Sequence, residues 1–164
     1  MALTKTEREL HRKMGTRCFN EAWDYLEKRH RTARDDRQLL HLVHASRYHW
    51  DLAGTAQNRA IADWQVSRAY AALRSPTLAI QFARSALDLC EENDLAEFLA
   101  TAYEAMARAH ATAGELRPAR QFLSKARAQL DVSPLDAEGR EVYRSQIRET
   151  ERLVQRAAKR RRPA

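Results

Sequence analysis

The chain has 164 residues, of which 44% are apolar and 31% charged, and its formal net charge is +7. That length holds one domain with a working core, and that balance excludes an intrinsically disordered chain. Residues 156–162 carry five basic side chains and no acid, so the remainder holds only +2, which argues against a nucleic-acid face spread over the whole domain.

Ala, Leu, Arg, Glu and Gln dominate, whereas Val and Ile are scarce and there are only four Gly and four Pro. This is the composition of an all-α protein. A first helix is predicted from about Thr4 to His30, with Gly15 and Thr16 as a break. A second runs from Asp35 to Ala53, and Gly54 supplies a left-handed stop. A third covers Ala56 to Arg74. The fourth opens at Ser75–Pro76, a cap followed by proline in the first turn, and runs to Glu91. Asn93 and Asp94 open a fifth helix that ends at Gly114. The sixth spans Leu116 to Leu130, and the seventh starts at Ser133–Pro134 and reaches Lys159. Residues 159–164 form a basic, disordered tail. Loops this short make consecutive helices antiparallel neighbours.

No stretch approaches the roughly 20 apolar residues of a membrane span, so no membrane partner is expected. The opening MALTKTERELHRK is charged throughout and lacks the apolar core of a signal peptide. Cys18 and Cys90 have neither metal nor redox spacing, so they are read as free thiols in a reducing cytoplasm. The expected location is cytoplasmic.

Shifting the chain by 40 residues aligns Ile61–Cys90 with Thr101–Leu130, and eight of thirty positions are identical. Five of the eight are alanine pairs. The others are Arg68/Arg108, Gln81/Gln121 and Phe82/Phe122. A further shift of 40 aligns Ala62 with Ala22, Val66 with Leu26, Ala79 with Leu39 and Phe82 with Leu42. Three helix pairs follow, and a last helix that shields the final apolar face. The small residues Ala69, Ala79, Ala86, Ala107, Ala119 and Ala126 suit close helix crossings.

The third pair reads Tyr103, Met106, Ala107, His110, then Gly114, Ala119, Leu123 and Ala126. The second reads Asp63, Val66, Ser67, Tyr70, then Ala79, Ala83 and Ala86. The first reads Trp23, Leu26, Glu27, His30, then Leu39, Val43 and Ser46. Large, aliphatic, small, aromatic, then alternating small residues: this pattern resembles the tetratricopeptide repeat over residues 16–132, although the spacing of 40 exceeds the family's usual 34. The closing proline of the family is absent at Asp51, Glu91 and Asp131. The resemblance implies antiparallel hairpins stacked as a right-handed α-superhelix of about seven helices. Residues 1–158 would form a single domain, with pairs at about 16–54, 56–91 and 95–131 and a capping helix at about 134–158.

It also implies a concave groove lined by the first helix of each pair. Carried over, Asp24, Trp64 and Glu104 form one row, and Lys28, Arg68 and Arg108 a second. Three cations in register would attract a carboxylate or an acidic peptide, and Trp64 would supply a flat apolar contact. The plainer reading is local pairing, because Asp24–Lys28 and Glu104–Arg108 are acid-to-base pairs four residues apart. Arg68 has no such acid. Trp23, Trp50 and Trp64 also suit a core role.

Catalytic motifs are absent: there is no GxGxxG, GxxxxGK, HExxH or GxSxG. His41 and His44 share a helix face, but nothing completes a metal set. No cofactor is expected. The function expected is therefore a protein-interaction module, a scaffold or adaptor, that binds a peptide or partner protein in a basic groove through Lys28, Trp64, Arg68, Glu104 and Arg108. The alternative is a nucleic-acid binder using Lys159, Arg160, Arg161 and Arg162. A remote alternative is an enzyme with a site among His44, Arg47, Asn58 and Arg68. Self-association through the ends of the stack is a further expectation.

Overall fold

The computed structural model describes residues 2–160. Among them the chain is all-α: α1 (Lys5–Leu26), α2 (Ala33–Ala53), α3 (Ala56–Ala72), α4 (Pro76–Glu92), α5 (Leu99–Thr112), α6 (Leu116–Val132) and α7 (Ala137–Arg160). No described helix is long and apolar enough to cross a membrane.

The first three helices start by one device. Thr4, Thr32 and Thr55 each accept a hydrogen bond from the backbone N–H three residues on, and the side chains of Glu7, Asp35 and Asn58 accept from the threonine N–H in return. Ser75 stands at the N-cap of α4 without a side-chain bond, so Pro76 alone, with its preset φ, favours that start.

Three predicted boundaries and one cap conformation need correction. Gly15 and Thr16 do not break α1. A Cβ at Gly15 would lie 2.8 Å from Trp50 Cε2, and the Ser46 hydroxyl donates to the Gly15 carbonyl at 2.9 Å. The glycine lets α1 and α2 approach. Gly54 is not left-handed but extended (φ −94°, ψ 173°); a Cβ there would sit 2.6 Å from the Trp50 carbonyl oxygen. Asn93 and Asp94 close α4 rather than open α5. Asp94 is left-handed (φ 52°), whereas an N-cap needs extended backbone, and the Leu95 N–H reaches back to the Cys90 carbonyl at 2.9 Å. Ser133 likewise closes α6, and the cap at the start of α7 is Asp136, whose carboxylate accepts from the Gly139 N–H at 2.8 Å.

The helices pack as hairpins: α1 on α2, α3 on α4 and α5 on α6, with α2–α3, α4–α5 and α3–α5 contacts joining successive hairpins. The 40-residue repeat is visible in detail. At the end of α3 the N–H groups of Leu73, Arg74 and Ser75 return to the carbonyls of Ala69, Ala71 and Tyr70 at 3.0, 3.1 and 2.9 Å. At the end of α5, Ala113, Gly114 and Glu115 return to Ala109, Ala111 and His110 at 3.0, 3.1 and 2.9 Å. Arg74 (φ 56°) and Gly114 (φ 76°) hold the same left-handed stop. Tyr70 stacks on Phe82 (5.7 Å, 16°) as His110 stacks on Phe122 (5.5 Å, 7°). The matched alanines Ala69/Ala109, Ala79/Ala119 and Ala86/Ala126 are all buried, so these matches reflect helix crossings with no room for a larger side chain.

The helix α7 packs on both α5 and α6. Tyr143, Ile147, Thr150 and Val154 recur at the spacing of one helix face. Ile147 and Val154 are buried with Leu123, Ala126 and Leu130 of α6. Gln146 meets Thr101 and Thr150 meets Glu104, so α7 runs parallel to α5 and lies along it.

Candidate functional site

The predicted cation row resolves into two different situations. Lys28 is not in register with the other two. It lies past the end of α1, bonds Asp35 at 2.6 Å and stands 4.7 Å over the Tyr25 ring. The helix ends at Leu26, so the spacing from Asp24 to Lys28 is not helical and the predicted pair has no hydrogen bond. The Lys28 bond leads the causes that hold the Asp35 carboxyl down to about 2.

Arg68 and Arg108 do come together, through a residue on α7. Arg68 Nη2 donates to Glu149 at 2.6 Å and Arg108 Nη2 donates to the same carboxylate oxygen at 3.1 Å. Arg108 also bonds Glu104 through Nε at 3.0 Å, which is the predicted local pair. Glu104 is 1% exposed, and the Thr150 hydroxyl donates to it as well. Burial pushes the Glu149 carboxyl up, but Arg108 and Arg68 more than offset this and hold it at about 2. Trp64 is 7% exposed and sits against Trp23 at 5.8 Å; it does not lie between the two arginines. The Arg68 guanidinium lies 5.5 Å from the Trp23 ring and 5.8 Å from the Trp64 ring.

Beyond the Arg68–Glu149–Arg108 bridge, toward the C-terminal ends of α3, α5 and α7, a cleft of about 670 Å³ opens. Five arginines line it, Arg68, Arg74, Arg108, Arg156 and Arg160, against one carboxylate, Glu149. Arg74, Arg156 and Arg160 are exposed and make no ion pair among the described residues. The negative ends of three helices offset part of this positive field. Arg74 was missed in the sequence because its role depends on the left-handed turn that ends α3. Arg156 and Arg160, four apart on one helix face, were visible only as basic tail residues. The tail prediction needs correction: Lys159 and Arg160 belong to the last turn of α7, where cations suit the helix end. Arg161 and Arg162 lie outside the described residues.

The residues of the enzymatic alternative have separate contacts. His44 Nε2 and the Tyr70 hydroxyl are 2.9 Å apart, and burial lowers the His44 pKa. Arg47 Nε donates to the buried Asp63 at 2.6 Å, and Ser85 donates to its other oxygen at 2.7 Å. Burial raises the Asp63 pKa against both of these bonds. Asn58 is engaged in capping α3. Asn58 and Arg68 are ten residues apart on that helix, or about 15 Å. Among the described residues no three His, Cys, Asp or Glu side chains are placed to hold a metal ion.

In comparisons with known proteins, no family model, curated protein or solved structure matches the chain.

Proposed function

We propose that the protein is an interaction module whose arginine-lined cleft captures an acidic segment of a partner protein. The observation that carries this reading is the charge of the cleft: five arginines to one carboxylate, three of them without an ion pair among the described residues. Glu149 illustrates the recognition chemistry, a carboxylate between two guanidinium groups. The tetratricopeptide resemblance supports the same reading, because it assigns ligand binding to the face that carries Arg68 and Arg108. The cleft walls between the arginines are Ala71, Ala72, Ala111 and Leu153, which suit aliphatic side chains interleaved with acids. They provide no aromatic platform of the kind that stacks nucleic-acid bases.

Arg68 and Arg108 are poor positions for a test, since both hold α7 in place. The exposed arginines are better. A fluorescently labelled peptide alternating glutamate and leucine, followed by anisotropy, should bind the wild type. The triple variant Arg74→Glu/Arg156→Glu/Arg160→Glu should bind it at least about tenfold more weakly at equal melting temperature, in line with like-charge juxtaposition. Equal binding by the variant would remove the cleft from the function. A single-stranded oligonucleotide that outcompetes the peptide, with a steep salt dependence, would favour the nucleic-acid reading instead.

A further inference from the structure

On the other side of the Arg68–Glu149 bridge lies a second recess, and no residue lines both. It is a pocket of about 230 Å³ between α1, α3, α4, α5 and α7. Its walls are aromatic: Trp23 and Trp64, 5.8 Å apart and tilted by 44°, Phe19 edge-on to Trp23 at 6.4 Å, and Phe98 and Tyr143. Its floor is built from small buried side chains, Ala60, Ala86, Ala102 and Cys90. A larger residue at any of these would fill the space, as close packing ordinarily requires. The one polar pair at the pocket is Thr101 and Gln146. The Thr101 hydroxyl donates to the Gln146 side-chain carbonyl at 2.9 Å. That leaves the Gln146 amide N–H groups without a hydrogen bond among the described residues.

We infer that this pocket binds a small neutral aromatic molecule carrying one hydrogen-bond acceptor. The volume sets the size. An apolar cavity of about 150 Å³ holds benzene, so about 230 Å³ takes a single substituted ring. The rings that line it offer edges and faces to an aromatic guest. The Gln146 amide supplies the donor, in the usual pattern of an apolar pocket with a few placed polar groups. Neutrality follows from the surroundings. Among the described residues no charged side chain lines the pocket, and the Arg68 guanidinium over Trp23 and Trp64 bonds Glu149. Burial pushes the Cys90 thiol up to about 12, and burial with Glu97 pushes the Tyr143 hydroxyl up to about 12, so neither ionises near neutral pH. The thiol is thus part of an apolar floor and is no nucleophile.

The test is a fluorine NMR titration of the full chain with 4-fluoroacetophenone and with 1-ethyl-4-fluorobenzene, which lacks the acceptor. Both probes should shift and broaden, and the ketone should bind about fivefold more tightly, the factor expected of one ordinary hydrogen bond. Gln146→Ala should erase that preference and keep ring binding. Ala86→Leu, which fills the floor, should abolish binding of both probes. Should Ala86→Leu fail to fold, Ile61→Trp at the partly exposed rim replaces it. No response to either probe at millimolar protein overturns the site. Undiminished binding by a folded pocket-filling variant does so as well, because the ring would then sit elsewhere. Equal affinity for the two probes overturns the assignment of an acceptor-bearing ligand.

Discussion

Arg108→Met tests the central ionic network. The Arg108 side chain is 11% exposed and Glu104 is 1% exposed. Removing the guanidinium leaves the Glu104 carboxylate with the Thr150 hydroxyl alone, and its second oxygen, Oε2, already has no hydrogen-bond partner. An uncompensated buried charge of this kind costs about 3–5 kcal/mol. Each kcal/mol lowers Tm by about 2–4 °C in a chain of this size, so a drop of about 6–20 °C is expected. Urea unfolding followed by circular dichroism, with a thermal melt in parallel, measures it. The double variant Glu104→Leu/Arg108→Met replaces both charges with apolar side chains and should recover most of the loss, because apolar replacement of a buried pair is close to neutral in stability. A single variant that loses less than about 1 kcal/mol, or a double that loses as much as the single, would refute the argument.

Arg74→Gly relieves a left-handed conformation (φ 56°) and should raise stability by about 0.5–1 kcal/mol. It should also weaken binding of the acidic peptide, and a gain in both would contradict a role for Arg74 in the cleft. The Glu149 carboxyl is held at about 2 against an ordinary 4.5, so its contribution is complete above pH 4.5 and is lost as pH falls toward about 2. Glu149→Gln should accordingly flatten the acid side of the stability curve, read as urea midpoints across that range, and an unchanged slope would disprove the bridge. Gly15→Ala places a methyl 2.8 Å from the Trp50 ring and should lower stability by about 1–3 kcal/mol despite the better helix propensity of alanine. A melting temperature at or above wild type would show that the α1–α2 crossing has room.

Much of the fold is legible because it depends on neighbours in sequence. Helix content follows from composition, and the start of α4 follows from Pro76. The repeat at 40 residues predicts the likeness of the α3 and α5 ends, and four of its five alanine pairs are buried on both sides. Misreadings fall where one residue type serves two purposes. Gly15 looks like a break but is a point of close approach to Trp50, and Gly54 ends α2 as expected but in extended rather than left-handed backbone. Asn93–Asp94 and Ser133 look like starts but close the preceding helices, because Asp94 is left-handed and Ser133 is the buried C-cap of α6.

The sequence by itself determined seven helical segments, their antiparallel pairing and the alignment of Arg68 with Arg108 one repeat apart. These rest on propensity, periodicity and short connections, which act over a few residues. The tertiary structure decided what those arginines meet. Glu149 is 81 residues from Arg68 and 41 from Arg108, and no spacing rule links such positions. Burial of Ile147 and Val154 against α6 lays α7 parallel to α5. That packing delivers Glu149 to both guanidinium groups, gathers Arg156 and Arg160 beside Arg74 in one cleft, and brings Tyr143 and Gln146 to the aromatic pocket.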